Sequence, residues 1–258
     1  MGSMTPAVVL LTDFGLSDPF VGVMKGVLAA GAPRTPVIDL THGVAPQDVR
    51  GAALALKQAT PYFPGGTLFV CVVDPGVGSS RRVLWARGER HEYLAPDNGL
   101  LAWAEKGRFR EVRSVENEAL FLKPVSRTFH GRDVFAPVAA ALACGLDPAE
   151  LGPKVAAIKR LPFPPTRRER AGVRGEILAF DRFGNAITNL TPRDLPRGAR
   201  VSHRGSDVGP LRTHYGAVPA GRALALTGSS GYVELAVRDG DFAKLAGAAA
   251  GDLVEARR

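Results

Sequence analysis

The sequence has few cysteines and no long apolar runs, and each shortage excludes a class of protein. Its 258 residues include only two cysteines, Cys71 and Cys144, both in apolar stretches. We therefore expect two buried free thiols rather than a disulfide or a cysteine-held metal. No apolar stretch reaches the roughly 18 residues that span a membrane, so no membrane partner is expected. The segment before Ala7 lacks a signal-peptide core, which predicts a cytoplasmic protein.

Acidic residues are outnumbered, 25 against 33 basic ones, which gives a net charge of +8. Such an excess raises the question of a nucleic-acid partner. Much of it lies in the run of residues 167–170 and in the terminal pair Arg257 and Arg258. No basic stripe interleaved with aromatic residues occurs, so the sequence predicts no nucleic-acid binding.

The N-terminal part alternates buried strands with helices. Strands are predicted at residues 8–12, 36–40 and 67–73, with two more at 83–86 and 93–95. The first helix is predicted to begin after a cap at Ser17 or Asp18, and the second after a cap at Asp48. A further helix is predicted near residues 100–103 and another at 134–144. This order predicts an α/β domain with a parallel sheet and right-handed crossovers, over residues 4–161.

The C-terminal part has a different texture. Residues 162–171 are rich in proline and charge without apolar periodicity, which predicts a linker. Short β-like runs follow at residues 175–180, 186–190, 224–227, 232–237 and 253–254, separated by Gly, Asp and Pro. This pattern is typical of a small antiparallel barrel or sandwich, here spanning residues 172–258.

The third predicted strand ends in a carboxylate, a Pro/Gly turn and two arginines. Asp74 stands at its carboxyl end, the edge where open α/β sheets bind ligands. Arg81 follows seven residues later, and a tight turn through Gly76 and Gly78 can fold it back onto Asp74. Taken alone, this stretch fits a solvated strand-end turn as well as it fits a site.

Five further polar loops occur at predicted strand ends, at helix starts or in the C-terminal part. They are residues 12–15, 97–99, 129–133, 181–185 and 228–232. His130 lies at the N-terminal approach of helix 134–144, where free N–H groups and the helix dipole suit an anion or a polarised oxygen.

In this order, the six loops resemble those of the S-adenosyl-L-methionine hydroxide adenosyltransferases, relatives of fluorinating and chlorinating enzymes that use the same substrate. The resemblance runs from Asp13 to Tyr232. It implies a Rossmann-like N-terminal domain, a C-terminal β-barrel, and a homotrimer with sites between the N-terminal domain of one subunit and the C-terminal domain of its neighbour. It also implies that water or hydroxide attacks ribose C5′ of S-adenosyl-L-methionine, releasing adenosine and L-methionine without a metal or cofactor.

The resemblance implies roles for individual residues. The catalytic triad would be Asp74, Arg81 and His130. Asp13 would hold the ribose hydroxyls, and Asp18 and Asp181 would contact the methionine end. For the rest, Ser229 or Ser230 would lie near the methionine carboxylate, Phe183 and Asn185 on the adenine side, and Tyr232 in the same substrate-binding set.

Three departures from the halogenating relatives favour water as the nucleophile. Those enzymes have a Tyr where this chain has Asp74, and the fluorinating ones have a Ser at the position of Gly131. The long insertion of the fluorinating branch is also missing. A carboxylate repels a halide, whereas Asp, Arg and His together can orient water. His130 with Asp74 could take the water's proton while Arg81 lowers the cost of hydroxide character.

Other interpretations stay open at this stage. A metal-dependent hydrolase of another nucleoside-type substrate could use Asp13, Asp18, His42 and Asp74. A non-catalytic S-adenosylmethionine- or adenosine-binding protein would also fit the loops. Individually, Asp13 could cap a helix, His130 could be a satisfied loop histidine, and the two serines could only form a turn.

Overall fold

A computed structural model describes residues 7–258 of the chain. The chain divides into two compact units, residues 1–162 and 163–258. Residues 1–6 lie outside the described part. Two predictions fall on them: the absence of a signal peptide, and positions 4–6 of the predicted first domain. Within residues 7–258, no helix has the length and apolar character needed to cross a membrane.

The N-terminal unit is built on one six-stranded sheet with the order β2-β1-β3-β5-β4-β6. Strands β2, β1, β3 and β5 run parallel, and β4 pairs antiparallel with both β5 and β6. The mostly parallel sheet is therefore confirmed. The strands are β1 (Val8–Thr12), β2 (Val37–Thr41), β3 (Leu68–Val72), β4 (Val83–Arg87), β5 (Glu92–Pro96) and β6 (Glu111–Ser114).

Helices cover both faces of this sheet. The α-helices are α1 (Phe20–Gly31), α2 (Val49–Ala59) and α3 (Ala136–Ala143). Short 3-10 helices lie at Thr60–Tyr62, Leu100–Gly107, Glu118–Leu120 and Pro148–Leu151. Alternate residues of β1 face opposite layers: Val8 and Leu10 pack with α1 and α3, and Val9 and Leu11 pack with α2 and the Leu100–Gly107 helix. Because both faces are covered, the central strands are apolar throughout.

The strand register brings two predicted site residues to one edge of the sheet. Thr12, the last residue of β1, pairs with Val72, the last residue of β3. Asp13 and Asp74 follow these two ends by one and two residues. They therefore share the carboxyl edge of neighbouring parallel strands.

Among the helices and cysteines of this unit, three details differ from the sequence predictions. Helix α1 begins after Pro19 without a side-chain cap, so the predicted cap at Ser17 or Asp18 is wrong. The predicted helix 134–144 starts earlier, because a π-helical turn at Gly131–Phe135 leads into α3. Cys71 is buried as expected, but Cys144 is exposed because it stands at the end of α3.

The C-terminal unit is a closed β-barrel. Seven strands form a ring in the order β14-β10-β11-β12-β13-β9-β8, closed by pairing of β14 with β8, and β7 adds to the outside of β8. The strands are β7 (Arg167–Glu169), β8 (Gly172–Phe180), β9 (Ala186–Thr188), β10 (Arg200–His203), β11 (Ser206–Arg212), β12 (Ala223–Thr227), β13 (Val233–Val237) and β14 (Leu253–Arg257). The predicted barrel is confirmed, with β11 and β12 as a parallel pair in an otherwise antiparallel ring.

Two short elements complete the barrel unit. Helix α4 spans Phe242–Ala246 and is capped by Asp241, and a 3-10 turn spans Tyr215–Ala217. Val233, Leu235 and Val237 point into the barrel core, whereas Glu234 between them points to the outside, because side chains alternate along a strand. Strand β7 lies within residues 162–171, where the sequence predicted a linker.

Candidate active site

The turn after β3 folds back on itself and carries the first site residues. Val77 N donates to the Asp74 carbonyl, and Ser79 N donates to the Gly76 carbonyl. Gly78 has a φ of +76°, and a Cβ atom there would stand 2.3 Å from the Arg127 carbonyl oxygen. Only glycine fits, because the turn packs directly on the backbone that leads to His130.

Arg81 joins Asp74 to His130 by hydrogen bonds. Its Nε donates to both carboxylate oxygens of Asp74, at 3.0 and 2.8 Å, and its Nη2 donates to Oδ2. The same Nη2 lies 2.6 Å from Nδ1 of His130. The side chains of Arg81 and Asp74 are only 7% and 5% exposed. We call these three residues the Asp–Arg–His network.

The proton on the His130 ring follows from this contact. A guanidinium has donors only, so Nδ1 of His130 must accept and a neutral ring carries its proton on Nε2. Burial lowers the pKa of His130, and the nearby Arg81 cation lowers it further, although Asp74 and Asp133 act in the opposite direction. Both the geometry and the charges therefore favour a neutral His130 that donates through Nε2.

A cavity of about 370 Å³ lies beside the network, at the carboxyl edge of β1 and β3. Asp13, Asp74, His130 and Gly131 are among the residues that line it. Oδ2 of Asp13 accepts a hydrogen bond of 2.7 Å from the backbone N–H of Gln47, which fixes one end of that carboxylate.

Three aromatic rings form a wall of this cavity. Phe14, Phe20 and Phe129 contact one another edge-to-face, with ring centroids 5.1 to 6.0 Å apart. A Cβ atom on Gly131 would stand 3.1 Å from Phe129 and 3.3 Å from Phe14. Glycine at this position therefore lets the wall close next to His130.

Two polar side chains near the network form hydrogen bonds to the backbone around it. Asp133, only 2% exposed, accepts from Ser126 N at 2.8 Å and is paired with Arg132, which lowers its pKa. Asn98 donates to the carbonyl of Val73, next to Asp74, at 2.8 Å. The sequence placed Asp133 and Asn98 in polar loops but indicated no supporting role, and it gave no signal for the backbone of Gln47.

Asp18 and His42 lie apart from this arrangement. Asp18 is exposed and is not among the described residues that line the cavity. His42 is buried, with Nδ1 2.8 Å from the Thr12 hydroxyl and Nε2 3.0 Å from Asp39. In the described part of the chain, no three His, Cys, Asp or Glu side chains are grouped to hold a metal ion. Among residues 7–258, the side chains of Asp13, Asp18, His42 and Asp74 are therefore not grouped as the metal-dependent alternative requires.

The predicted residues of the barrel unit occupy two loops. Asp181 organises the first: Oδ1 accepts from Phe183 N and Asn185 N, and Oδ2 accepts from Asn185 Nδ2, at 2.8 to 2.9 Å. Phe183 is 74% exposed, whereas Asn185 is buried. In the second loop, Ser229 and Ser230 are exposed.

Tyr232, at the end of the second loop, is buried and stacks on Phe163 with ring centroids 6.2 Å apart. Its ring therefore packs within the barrel unit. Only the small exposed part of the Tyr232 side chain is left to contact a substrate.

A larger groove, of about 920 Å³, lies elsewhere in the N-terminal unit, beside β6. It is lined by Lys106, Arg110, Lys154 and Lys159 among others, and by none of the predicted site residues. Size alone therefore does not identify the site; the convergence of polar groups at the smaller cavity does.

Comparison with known proteins gives the same family for both units. Residues 8–152 match the SAM hydroxide adenosyltransferase N-terminal domain, and residues 175–255 match the SAM hydroxide adenosyltransferase C-terminal domain. An (R)-S-adenosyl-L-methionine hydrolase from Thermus thermophilus is 47% identical, over 90% of this chain and 92% of its own length. A crystal structure of a conserved protein from Thermotoga maritima superimposes with a TM-score of 0.90 at 36% identity, covering 97% of this chain and all of the other.

A halogenating relative is more distant. A fluorinase from Actinoplanes is 29% identical over 74% of this chain and 74% of its own length. The Thermus thermophilus hydrolase is thus more similar in sequence to this chain than this fluorinase is.

Proposed function

This chain belongs to the SAM hydroxide adenosyltransferase family, and we infer from that premise that it hydrolyses S-adenosyl-L-methionine to adenosine and L-methionine. The observation that carries the choice of water over halide is the Asp–Arg–His network at the edge of the Asp13 cavity. The buried Asp74 carboxylate repels a halide ion, and it can bind a water molecule at the same place.

The leaving group of this reaction needs no assistance from the protein. Water attacks ribose C5′, the C5′–S bond breaks, and its electron pair stays on sulfur. The sulfonium thereby leaves as the neutral thioether of methionine, so no general acid is needed there. The protein has to align the nucleophile with C5′ and dispose of one proton from the water.

We propose that Asp74 takes this proton. As the new C–O bond forms, the attacking water becomes strongly acidic, so a neighbouring carboxylate can accept its proton. His130 cannot accept at Nδ1 while Arg81 donates to it, and its Nε2 already carries the ring proton. His130 therefore donates a hydrogen bond that orients the water oxygen, and proton acceptance falls to Asp74 alone rather than to the pair.

Asp13 is the proposed ribose anchor. Its carboxylate lines the same cavity as Asp74 and His130, and Gln47 N already fixes one of its oxygens. A carboxylate has lone pairs enough to accept from two vicinal hydroxyls as well. Holding the ribose next to the network would place C5′ within reach of the oriented water.

The remaining substrate contacts and the assembly are proposals that come from the family resemblance. Asp18, Asp181 and Ser229 or Ser230 would bind the methionine end, and the adenine side would fall to Phe183 and Asn185. A homotrimer with shared sites would bring the two sets together, and a mass measurement by light scattering tests it. Activity without metal or cofactor and a cytoplasmic location likewise stay predictions.

The test is incubation of the purified protein with S-adenosyl-L-methionine and EDTA, followed by chromatography. We expect adenosine and methionine in equal amounts over many turnovers. Activity that EDTA abolishes and a divalent ion restores would support a metal-dependent hydrolase instead. Binding by calorimetry without any turnover would point to a binding protein.

A further inference from the structure

Glu234 is a buried carboxylate that the proposed reaction does not use. It lies in β13, is 8% exposed, and points to the outside of the barrel. Its Oε1 accepts from the Tyr215 hydroxyl at 2.6 Å. A Cβ atom on Gly228 would stand 2.4 Å from Oε2, so this carboxylate lies directly against the loop that carries Ser229 and Ser230.

Glu234 also lies beside the other substrate-binding loop. It pairs across the sheet with Ile187, two residues after the Asp181–Asn185 turn. The Asp181 carboxylate is close enough to help raise the pKa of Glu234, although burial is the larger cause and the Tyr215 hydrogen bond acts in the opposite direction. Glu234 therefore lies against the loop of Ser229 and Ser230, and its strand partner leads back to the Asp181–Asn185 turn.

Neither carboxylate has a cationic side chain as partner within the barrel unit. Among residues 163–258, no Lys, Arg or His forms an ion pair with Asp181 or Glu234. Glu255 shows the usual solution: it is equally buried, at 8% exposure, but bonds Arg174 at 2.6 Å and Arg257 at 2.7 Å. A buried charge left without a counter-ion opposes folding, so its partner is expected to come from outside.

We propose that Glu234 is a further substrate-recognition residue, which with Asp181 receives the α-ammonium group at the methionine end of the substrate. The inference rests on the proposed function, because that function supplies a ligand that is cationic at this end. Binding the ammonium group would supply the cationic partner that both carboxylates lack within residues 163–258. Tyr215 acts as a positioning residue, because its hydroxyl holds the Glu234 carboxylate in place.

The experiment compares Glu234→Gln with wild type and with Glu255→Gln as the matched control. Dissociation constants for L-methionine and for adenosine are measured separately by calorimetry, together with the melting temperature of each protein. Glutamine still accepts from Tyr215 but carries no charge. We expect Glu234→Gln to bind methionine about tenfold more weakly, to bind adenosine as wild type does, and to melt no lower than wild type.

Glu255→Gln should melt lower, because it breaks two ion pairs, and should bind both products normally. Methionine affinity unchanged in Glu234→Gln, an equal loss for adenosine, or a fall in its melting temperature would each overturn the inference. Wild-type hydrolysis is measured alongside. If wild type forms no adenosine, the proposed function itself fails; if it does, an adverse result removes only the role of Glu234.

Discussion

Nη2 of Arg81 lies 2.6 Å from Nδ1 of His130, and the same nitrogen donates to Oδ2 of Asp74. One guanidinium thus fixes the orientation of the carboxylate and the tautomer of the imidazole. A guanidinium cannot accept a hydrogen bond, so each residue has one role: Asp74 is the proton acceptor, Arg81 is the cation, and His130 is the hydrogen-bond donor to the water.

The pH dependence of kcat/KM should show that His130 acts in its neutral form. His130 has a lowered pKa, chiefly from burial and then from Arg81, so it stays neutral until the pH is below its ordinary value of 6.5. Protonation would place an N–H against the Arg81 donor and break the network. We expect kcat/KM to be level at neutral pH and to fall on the acid side of 6.5. Nitrogen-15 NMR of the ring should show the Nε2–H tautomer at pH 7; an Nδ1–H tautomer would contradict the assignment.

Stability should change in the same direction. The unfolded chain binds the His130 proton at a higher pH than the folded chain does, so acidification through 6.5 favours unfolding. The free energy of unfolding attributable to this residue is unaffected above that pH and declines below it. Urea titrations at pH 7 and pH 5 measure the decline, and a His130→Asn variant should show a smaller difference between the two.

Arg81→Lys separates the hydrogen bonds of Arg81 to Asp74 and His130 from its positive charge. Lysine keeps the positive charge but cannot form the fork that holds Asp74 and reaches His130. We expect kcat to fall about 10- to 100-fold, as for loss of one positioned hydrogen-bonding group at a reacting centre. Arg82→Lys is the control, because Arg82 pairs with Asp97 outside the network and its replacement should leave kcat near wild type. Equal losses in both variants would argue against a special role for Arg81.

Gly78→Ala tests the close approach that positions the turn. A methyl group there would meet the Arg127 carbonyl at 2.3 Å, on top of the backbone strain at a positive φ. The expected cost is about 2 to 3 kcal/mol of unfolding free energy, together with reduced kcat, because the turn must move away from His130. Gly66→Ala shares the positive φ but has open space, and should cost about 1 kcal/mol without affecting kcat. Denaturant unfolding distinguishes the two.

Some strands of the fold could be predicted from the sequence, whereas other strands and one helix cap could not. Buried strands such as Val8–Thr12 and Leu68–Val72 are continuous apolar runs, so their pattern predicted them. Strands β10 and β11 were missed because polar residues, Gly209 and Pro210 interrupt any alternation, and the closing of the ring stabilises them instead. The predicted cap of α1 failed because the helix begins only at Phe20, so the N-cap position falls on Pro19, which has no side-chain acceptor, and not on Ser17 or Asp18.

The site was predictable in part for a similar reason. Arg81 folding back onto Asp74 is a contact across seven residues, which the turn residues indicate. The bond from Arg81 to His130 spans 49 residues, and only the family resemblance joined them. The hydrogen bond from Gln47 N to Asp13 involves a backbone group, which leaves no mark on the sequence.

The most direct test of the account is the Asp74→Asn variant, measured for both binding and turnover of S-adenosyl-L-methionine. Asparagine keeps the shape of the side chain but cannot accept the water's proton, so adenosine formation should fall by about 100-fold or more while the dissociation constant stays within a few-fold of wild type. Asp39→Asn, at an exposed carboxylate in β2, should keep both values. Retention of full turnover by Asp74→Asn, with binding intact, would contradict the proposal that Asp74 activates the water.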